Sequence, residues 1–270
     1  MYYNMKKLIL SVLACAGMMS CTGGQPKTLI LYYSQEGSTE TVAMEIARQT
    51  GWDFERFDVT PAYDGDFNAT VQRTSQESQS GVVPSLVPLK SKLSQYDRIF
   101  LGFPIWGGKF ATPVQSLLNA ENLNGKTIVT FCTFGSGGLN TGTDALAKAL
   151  PTANVTAGYG CRAARMAAVP AEVERFLVSG GYVEGTTVEL PDFSESQPVS
   201  EADVEIFNQA CSSYQFPLGT PKEVASRTVG YATEYRFTVA SSGFGGGGSK
   251  SVIYVIAEPG KAPEFTQVVR

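Results

Sequence analysis

The chain has 270 residues, a formal net charge of −4 and no histidine. That length exceeds one ordinary domain and falls short of three, so a unit of roughly 150 residues with a smaller companion is expected. The acidic balance argues against a surface built to coat nucleic acid or an anionic membrane face, and the missing imidazole excludes Ser-His-Asp triads, Cys-His dyads and His-containing zinc sites.

Lys6 and Lys7, then an apolar run from Leu8 to Met19 that ends at Ser20 and Cys21, have the three-part layout of a secretory signal. The run is too short to span a bilayer comfortably. The small residue before Cys21 and the linker Thr22 to Gln25 resemble a bacterial lipoprotein signal, which implies residues 1–21 as a signal with Cys21 as the acylated residue. Cys15 is a second acylation candidate, and an uncleaved anchor or a buried helix is the plain alternative. Loss of residues 1–20 and lipidation of Cys21 would leave Cys132, Cys161 and Cys211 as thiols. That odd number in an oxidising compartment means at least one stays free. Cys132 and Cys161 stand at the ends of expected strands and read as small buried hydrophobes.

From Lys27 onward, short β-branched or aromatic runs alternate with helical spacing, the pattern of a parallel sheet covered on both faces. Thr28 to Tyr33, Arg98 to Phe103, Thr127 to Cys132 and Val155 to Tyr159 are expected as central strands, with Asp53 to Val59 a weaker one. Thr39 to Arg48 sets Val42, Ala43, Ile46 and Ala47 on one helical face; Pro113 to Leu118, Asp144 to Leu150 and Ala171 to Val178 supply further helices. Thr60 to Gly81 has no clear period and is expected as a long surface excursion.

After Gly180 the alternation stops, and residues 181–200 read as a linker between a first domain, 22–180, and a second, 201–270. Glu201 to Ser212 is expected as a helix capped by Ser200 or Glu201, with Val204, Phe207 and Cys211 on one face. Glu234 to Val239, Ser251 to Ala257 and Glu264 to Val269 read as antiparallel strands with one wet face, and the glycine run Gly243 to Gly248 as a mobile hairpin tip. The fold class expected is α/β, a five-stranded parallel sheet with helices on both faces, plus a small α+β unit of one helix on an antiparallel sheet.

The junction Tyr32-Tyr33-Ser34-Gln35-Glu36-Gly37-Ser38-Thr39-Glu40 carries the strongest chemical signal. A strand that runs straight into such a turn leaves backbone N–H groups and hydroxyls converging at a helix N-terminus, where the dipole favours an anion. On the plain reading, Ser38 or Thr39 caps the helix and Gly37 turns the chain. There is no G-x-S-x-G elbow, no G-x-x-x-x-G-K-[ST] loop and no C-x-x-C pair to point elsewhere. Gly135-Ser136-Gly137-Gly138-Leu139-Asn140 imitates G-x-G-x-x-G, but lacks its last glycine and follows the fourth strand rather than the first.

The first loop resembles the flavodoxin phosphate loop, (S/T)-x-T-G-x-T, with Ser34, Gly37, Ser38 and Thr39 matching in kind; Glu36 stands where that family usually has Thr, and Glu40 follows closely. Tyr96 to Gly108 resembles the family's third strand and the loop whose aromatic covers the flavin, here Trp106. Phe131 to Gly138 resembles the second flavin loop. The resemblance spans roughly residues 27 to 178. It implies a flavodoxin-like fold and an FMN site made by Ser34, Gln35, Gly37, Ser38, Thr39, Pro104, Ile105, Trp106, Gly107, Thr133, Phe134, Gly135, Ser136 and Gly137, with no catalytic side chain and no metal.

It further implies electron transfer or reduction of a quinone-like substrate, and therefore a redox partner or a small quinone-like compound, while the lipoprotein-like signal implies the bacterial cell envelope, facing the periplasm rather than exposed at the surface. Membrane contact would come only through Cys21. The alternative is a flavin-free lipoprotein that uses the cleft or the second domain to hold a partner. The second half resembles bacterial cystatin-like modules more loosely, through the run Ser226 to Tyr235, which lacks the glutamine of that motif.

Overall fold

A computed structural model describes residues 25–135, 137–186, 190–214, 218–229, 231–242 and 248–269. The expectations for the signal segment, Cys21, Ser136 and the glycine run at 243–247 fall outside the described residues. Through the first half the elements are β1 (Thr28–Tyr32), α1 (Ser38–Thr50), β2 (Asp53–Arg56), β3 (Val59–Thr60), α2 (Phe67–Ser80), β4 (Ser85–Leu86), β5 (Arg98–Trp106), β6 (Lys109–Phe110), α3 (Thr112–Ala120), β7 (Thr127–Phe134), α4 (Leu139–Ala149), β8 (Asn154–Arg162) and α5 (Val169–Ser179).

Five of the strands form a parallel sheet in the order β2-β1-β5-β7-β8, and β6 folds back antiparallel on the end of β5. Because side chains alternate along a strand, each strand feeds two cores. Leu29, Leu31, Ile99, Leu101, Phe103, Ile128 and Cys132 face α3 and α4, meeting Val114, Leu117 and Leu146. Ile30, Phe100, Val129, Phe131 and Cys161 face α1 and α5, meeting Val42, Ile46, Val173 and Leu177. Cys132 and Cys161 thus lie in opposite layers, both buried and both free thiols. Thr130, fully buried in the sheet, satisfies its hydroxyl at 2.6 Å from that of Thr143 on α4.

Two local expectations are corrected. The stretch read as a surface excursion holds α2, which starts at Asp66, whose carboxylate accepts from the Ala69 N–H at 2.9 Å, and stops at Gly81 in the left-handed conformation. Its buried contribution within the helix is Thr70 alone, so no apolar stripe marks it in the sequence. Asp53 to Val59 is not one strand: β2 ends at Arg56, and Val59 pairs instead with Leu86 in a separate two-stranded ribbon.

The second half comprises β9 (Gln197–Pro198), α6 (Glu201–Cys211), β10 (Thr220–Val229), β11 (Ala232–Ser242), β12 (Gly248–Ala257) and β13 (Glu264–Val269), an antiparallel sheet ordered β13-β12-β11-β10-β9. α6 begins in a reciprocal capping box of Ser200 and Asp203 and lays Phe207 on Phe237, ring centroids 5.2 Å apart. Ser194 and β9, inside the segment read as a linker, hydrogen-bond along β10 and extend this sheet. The run Ser226 to Tyr235 is divided between β10 and β11, with Val229 opposite Ala232, and is not a single strand. Its alternating residues suit either arrangement, and the change of direction falls between Val229 and Ala232.

Gly102 on β5 lets the Phe131 ring of β7 lie against the backbone: a Cβ there would meet that ring at 2.1 Å. Gly102→Ala is therefore expected to overpack the sheet and cost about 2 to 3 kcal/mol, measured as a lower midpoint in urea unfolding with an unchanged slope.

Candidate functional site

The carboxyl ends of β1, β5 and β7 open onto one cleft of about 540 Å³, within the range of roughly 300 to 1,000 Å³ usual for small-molecule sites. This is the side of an open α/β sheet where the order of strands reverses and a crevice is left. A second hollow of about 550 Å³, lined by Leu89, Lys92, Glu121, Asn122 and Lys126 among others, lies at the amino ends of β5 and β7 and holds none of the expected site residues.

The first wall is the β1–α1 turn. Gly37 occupies the N-cap of α1 at φ 90°, a left-handed conformation that favours glycine, and the helix has no side-chain cap. Ser34, buried at the end of β1, uses its hydroxyl to accept the Gly37 N–H at 3.1 Å. The N–H groups of Ser38, Thr39 and Glu40 open the helix with no carbonyl four residues back inside it. Thr39, buried in the first turn, lies with its hydroxyl 2.7 Å from that of Thr133 on β7, joining two of the three loops. Polar amides and hydroxyls backed by the helix dipole suit an anion.

The two carboxylates of this turn differ. Glu40 accepts from the Tyr32 hydroxyl at 3.1 Å, stands 3.8 Å from Arg56 and is not among the residues lining the cleft. Glu36 is exposed and lines it. Gln35 is held by its amide, which donates to the Gly65 carbonyl at 3.2 Å and to the Thr70 hydroxyl at 2.8 Å, fastening the turn to α2.

The second wall is the end of β5. Pro104, Ile105 and Trp106 are half-buried, and Gly107 and Gly108 turn the chain back at φ 55° and 77°. The Trp106 ring is set edge-on by Tyr33 at 5.9 Å and Tyr63 at 5.0 Å, so the indole is both a core anchor and a wall of the cleft. Tyr63 is fixed in turn by its hydroxyl on Glu77 and by Arg73 stacked 3.8 Å over its ring. The third wall is Thr133, Phe134 and Gly135 at the end of β7.

Of the residues expected from the sequence, Ser34, Gln35, Ser38, Thr39, Pro104, Ile105, Trp106, Gly107, Thr133, Phe134 and Gly135 line this one cleft. Gly37 supplies the turn behind it, and Gly137 is not among the lining residues. A fourth wall, not expected from the sequence, is formed by Phe67, Thr70, Val71 and Thr74 of α2. Their spacing of three, four and seven residues after an Asp N-cap is the signal that could have found them. Phe67 and Val71 are 71% and 49% exposed, apolar surface that faces the open cleft.

A family model described as flavodoxin matches residues 27–167. The chain belongs to the flavodoxin family. No curated protein in the comparison matched it. Among solved structures, the flavodoxin-family chain is similar to candidate flavoproteins of Bacteroides eggerthii and Bacteroides uniformis. Both are 26% identical and matched over 99% of their own lengths, covering 57% and 56% of this chain with TM-scores of 0.48 and 0.49. It is also similar to a Lactobacillus acidophilus flavoprotein in complex with FMN, at 24% identity, covering 56% of this chain and 99% of that one, TM-score 0.47.

Burial pushes the Tyr33 phenol up to about 12. A folded-state value above the unfolded one, near 10, gives stability that is complete below pH about 10 and is lost as the pH rises toward 12. Alkaline unfolding of the wild type is expected to steepen across that window, and Tyr33→Phe to flatten it, as measured by thermal midpoints between pH 9 and 12.

Proposed function

We propose that this flavodoxin-family chain binds FMN in the cleft and serves electron transfer or the reduction of a quinone-type compound at the bacterial cell envelope, on the periplasmic side, held there by lipid on Cys21. One observation carries the cofactor: the uncapped, dipole-positive start of α1 and the half-exposed Trp106 open onto the same cleft. The donors available suit FMN. The Ser38 and Thr39 amides and hydroxyls would hold the phosphate, Trp106 would cover one face of the ring, and the Thr133 to Gly135 backbone would meet the pyrimidine edge.

Bound FMN would supply the transfer of electrons or hydride, leaving binding, orientation and water exclusion to the protein. No acid or base side chain is required of the protein, in keeping with a chain without histidine. The exchange partner would be a redox protein or a small quinone-like molecule reaching the open side, where Phe67 and Val71 offer apolar contact. Nucleic acid is no part of the proposal.

A specific observation favours a second reading. Glu36 lines the cleft, and a carboxylate there opposes a phosphate dianion. A flavin-free protein that uses the cleft or its C-terminal sheet to hold a partner would have no reason to remove it.

The test is a fluorescence titration of FMN with the chain from Thr22 onward. Quenching that saturates at about micromolar concentration or below supports the flavin reading. Trp106→Ala is then expected to weaken binding by about tenfold or more and raise residual flavin fluorescence, and Glu36→Thr to tighten it by roughly threefold. No quenching up to hundreds of micromolar favours the flavin-free reading.

A further inference from the structure

Arg162 joins the cleft's third wall to the C-terminal sheet. It is the last residue of β8 and pairs in register with Phe134. Its Nε donates to the Gly135 carbonyl at 3.1 Å, and one of its terminal nitrogens donates to the Phe265 carbonyl of β13 at 3.0 Å. The guanidinium lies over the Phe265 ring, 4.2 Å from its centroid, and 5.4 Å from that of Tyr214. One fork thus joins a loop that lines the cleft to an edge strand of the other sheet. Ala163, the next residue, also lines the cleft.

Two neighbouring contacts act in the same direction. Arg165 bridges Glu172 of α5 at 2.9 Å and Glu264 of β13 at 3.3 Å. Gly138 has extended backbone that any residue could adopt, yet a Cβ there would stand 2.3 Å from the Gln267 amide nitrogen: β13 closes over the loop after β7.

The charge of Arg162 is as informative as its geometry. Among the described residues it pairs with no carboxylate; its partners are carbonyl dipoles and aromatic faces. Burial lowers its basicity relative to a solvated guanidinium. A cation behind a cleft wall with no direct carboxylate partner favours negative charge inside the cleft.

We propose that the C-terminal sheet is a working part of the cofactor site, with Arg162 as the positioning residue that fixes the Thr133–Gly135 wall against β13 and lends it positive charge. The inference rests on the flavin reading for its effect on FMN, and on the cleft alone for its mechanical part. Occupancy of the cleft and the order of β13 are then linked, and the linkage is reciprocal. Reduction adds negative charge to the flavin ring, so Arg162 strengthens binding of the reduced cofactor more than of the oxidised one.

The experiment uses the full chain from Thr22, as wild type, Arg162→Met and Arg162→Lys. Hydrogen exchange is read in the segments around 131–142 and 262–269, without and with FMN, together with the flavin midpoint potential. Without cofactor, Arg162→Met is expected to speed exchange in both segments by about tenfold, the ratio equivalent to roughly 1.4 kcal/mol. FMN is expected to slow exchange at 262–269 in wild type and not in Arg162→Met. The potential of Arg162→Met moves negative, and Arg162→Lys, which keeps the charge without the fork, restores the potential more than the exchange protection.

Exchange at 262–269 that is indifferent to both Arg162→Met and FMN overturns the proposal, as does an unchanged potential in Arg162→Met. If wild type takes up no FMN, the flavin reading fails, and exchange in the cofactor-free proteins alone decides whether the wall and β13 are coupled. Should Arg162→Met not fold, Glu264→Gln loosens the same junction from an exposed position, and unchanged exchange at 131–142 in that variant counts against the coupling.

Discussion

The start of α1 constrains the rest of this site. A helix of thirteen residues begins at a glycine with φ 90° and carries no side-chain cap, so its first N–H groups point outward with the dipole behind them. Placing that terminus at the carboxyl edge of a parallel sheet makes the other features useful. Ser34 holds the turn, Thr39 reaches Thr133 at 2.7 Å, and the loop after β5 brings Trp106 to the same opening. If a serine or aspartate side chain capped the helix, its oxygen would occupy the place an anion would take.

Much of this was legible in the sequence because it depends on short-range chemistry. Runs such as Leu29-Ile30-Leu31 and Ile99-Phe100-Leu101, apolar at consecutive positions, mark strands covered on both faces, and the structure assigns alternate members to opposite cores. The three cleft loops follow strand ends that are easy to locate. What escaped notice was α2, whose sequence is polar nearly throughout and whose buried contribution is a threonine, so hydrophobic period gave no signal. The two-stranded ribbon of Val59 and Leu86 was hidden for a different reason: its partners are separated by the helix that went unread. The role of Arg162 was likewise invisible, since it depends on two carbonyls that the fold brings together from positions 135 and 265.

Charge divides the cleft into unlike ends. Near the start of α1 the nearest carboxylates have been sorted by their neighbours: Glu40 is tied to Tyr32 and faces Arg56, while Glu36 stays at the opening. At the other end Arg162 stands behind Gly135 without a carboxylate partner among the described residues. A ligand with its charge at one end and a polarisable, reducible ring at the other would meet a dipole at the first and a cation at the second. The C-terminal sheet is thus joined to the cleft wall of the first half through β13, rather than merely following it along the chain.

The ends of β1, β5 and β7 are proposed to form one flavin-binding cleft. The most direct measurement maps backbone amide shifts by NMR as FMN is added to the 15N-labelled chain. Large shifts concentrated at residues 34–40, 105–108 and 133–138, with smaller ones reaching 264–268, are expected of such a cleft. Shifts confined to the hollow around Lys92 and Lys126, or to the C-terminal sheet with the three loops unmoved, would contradict it.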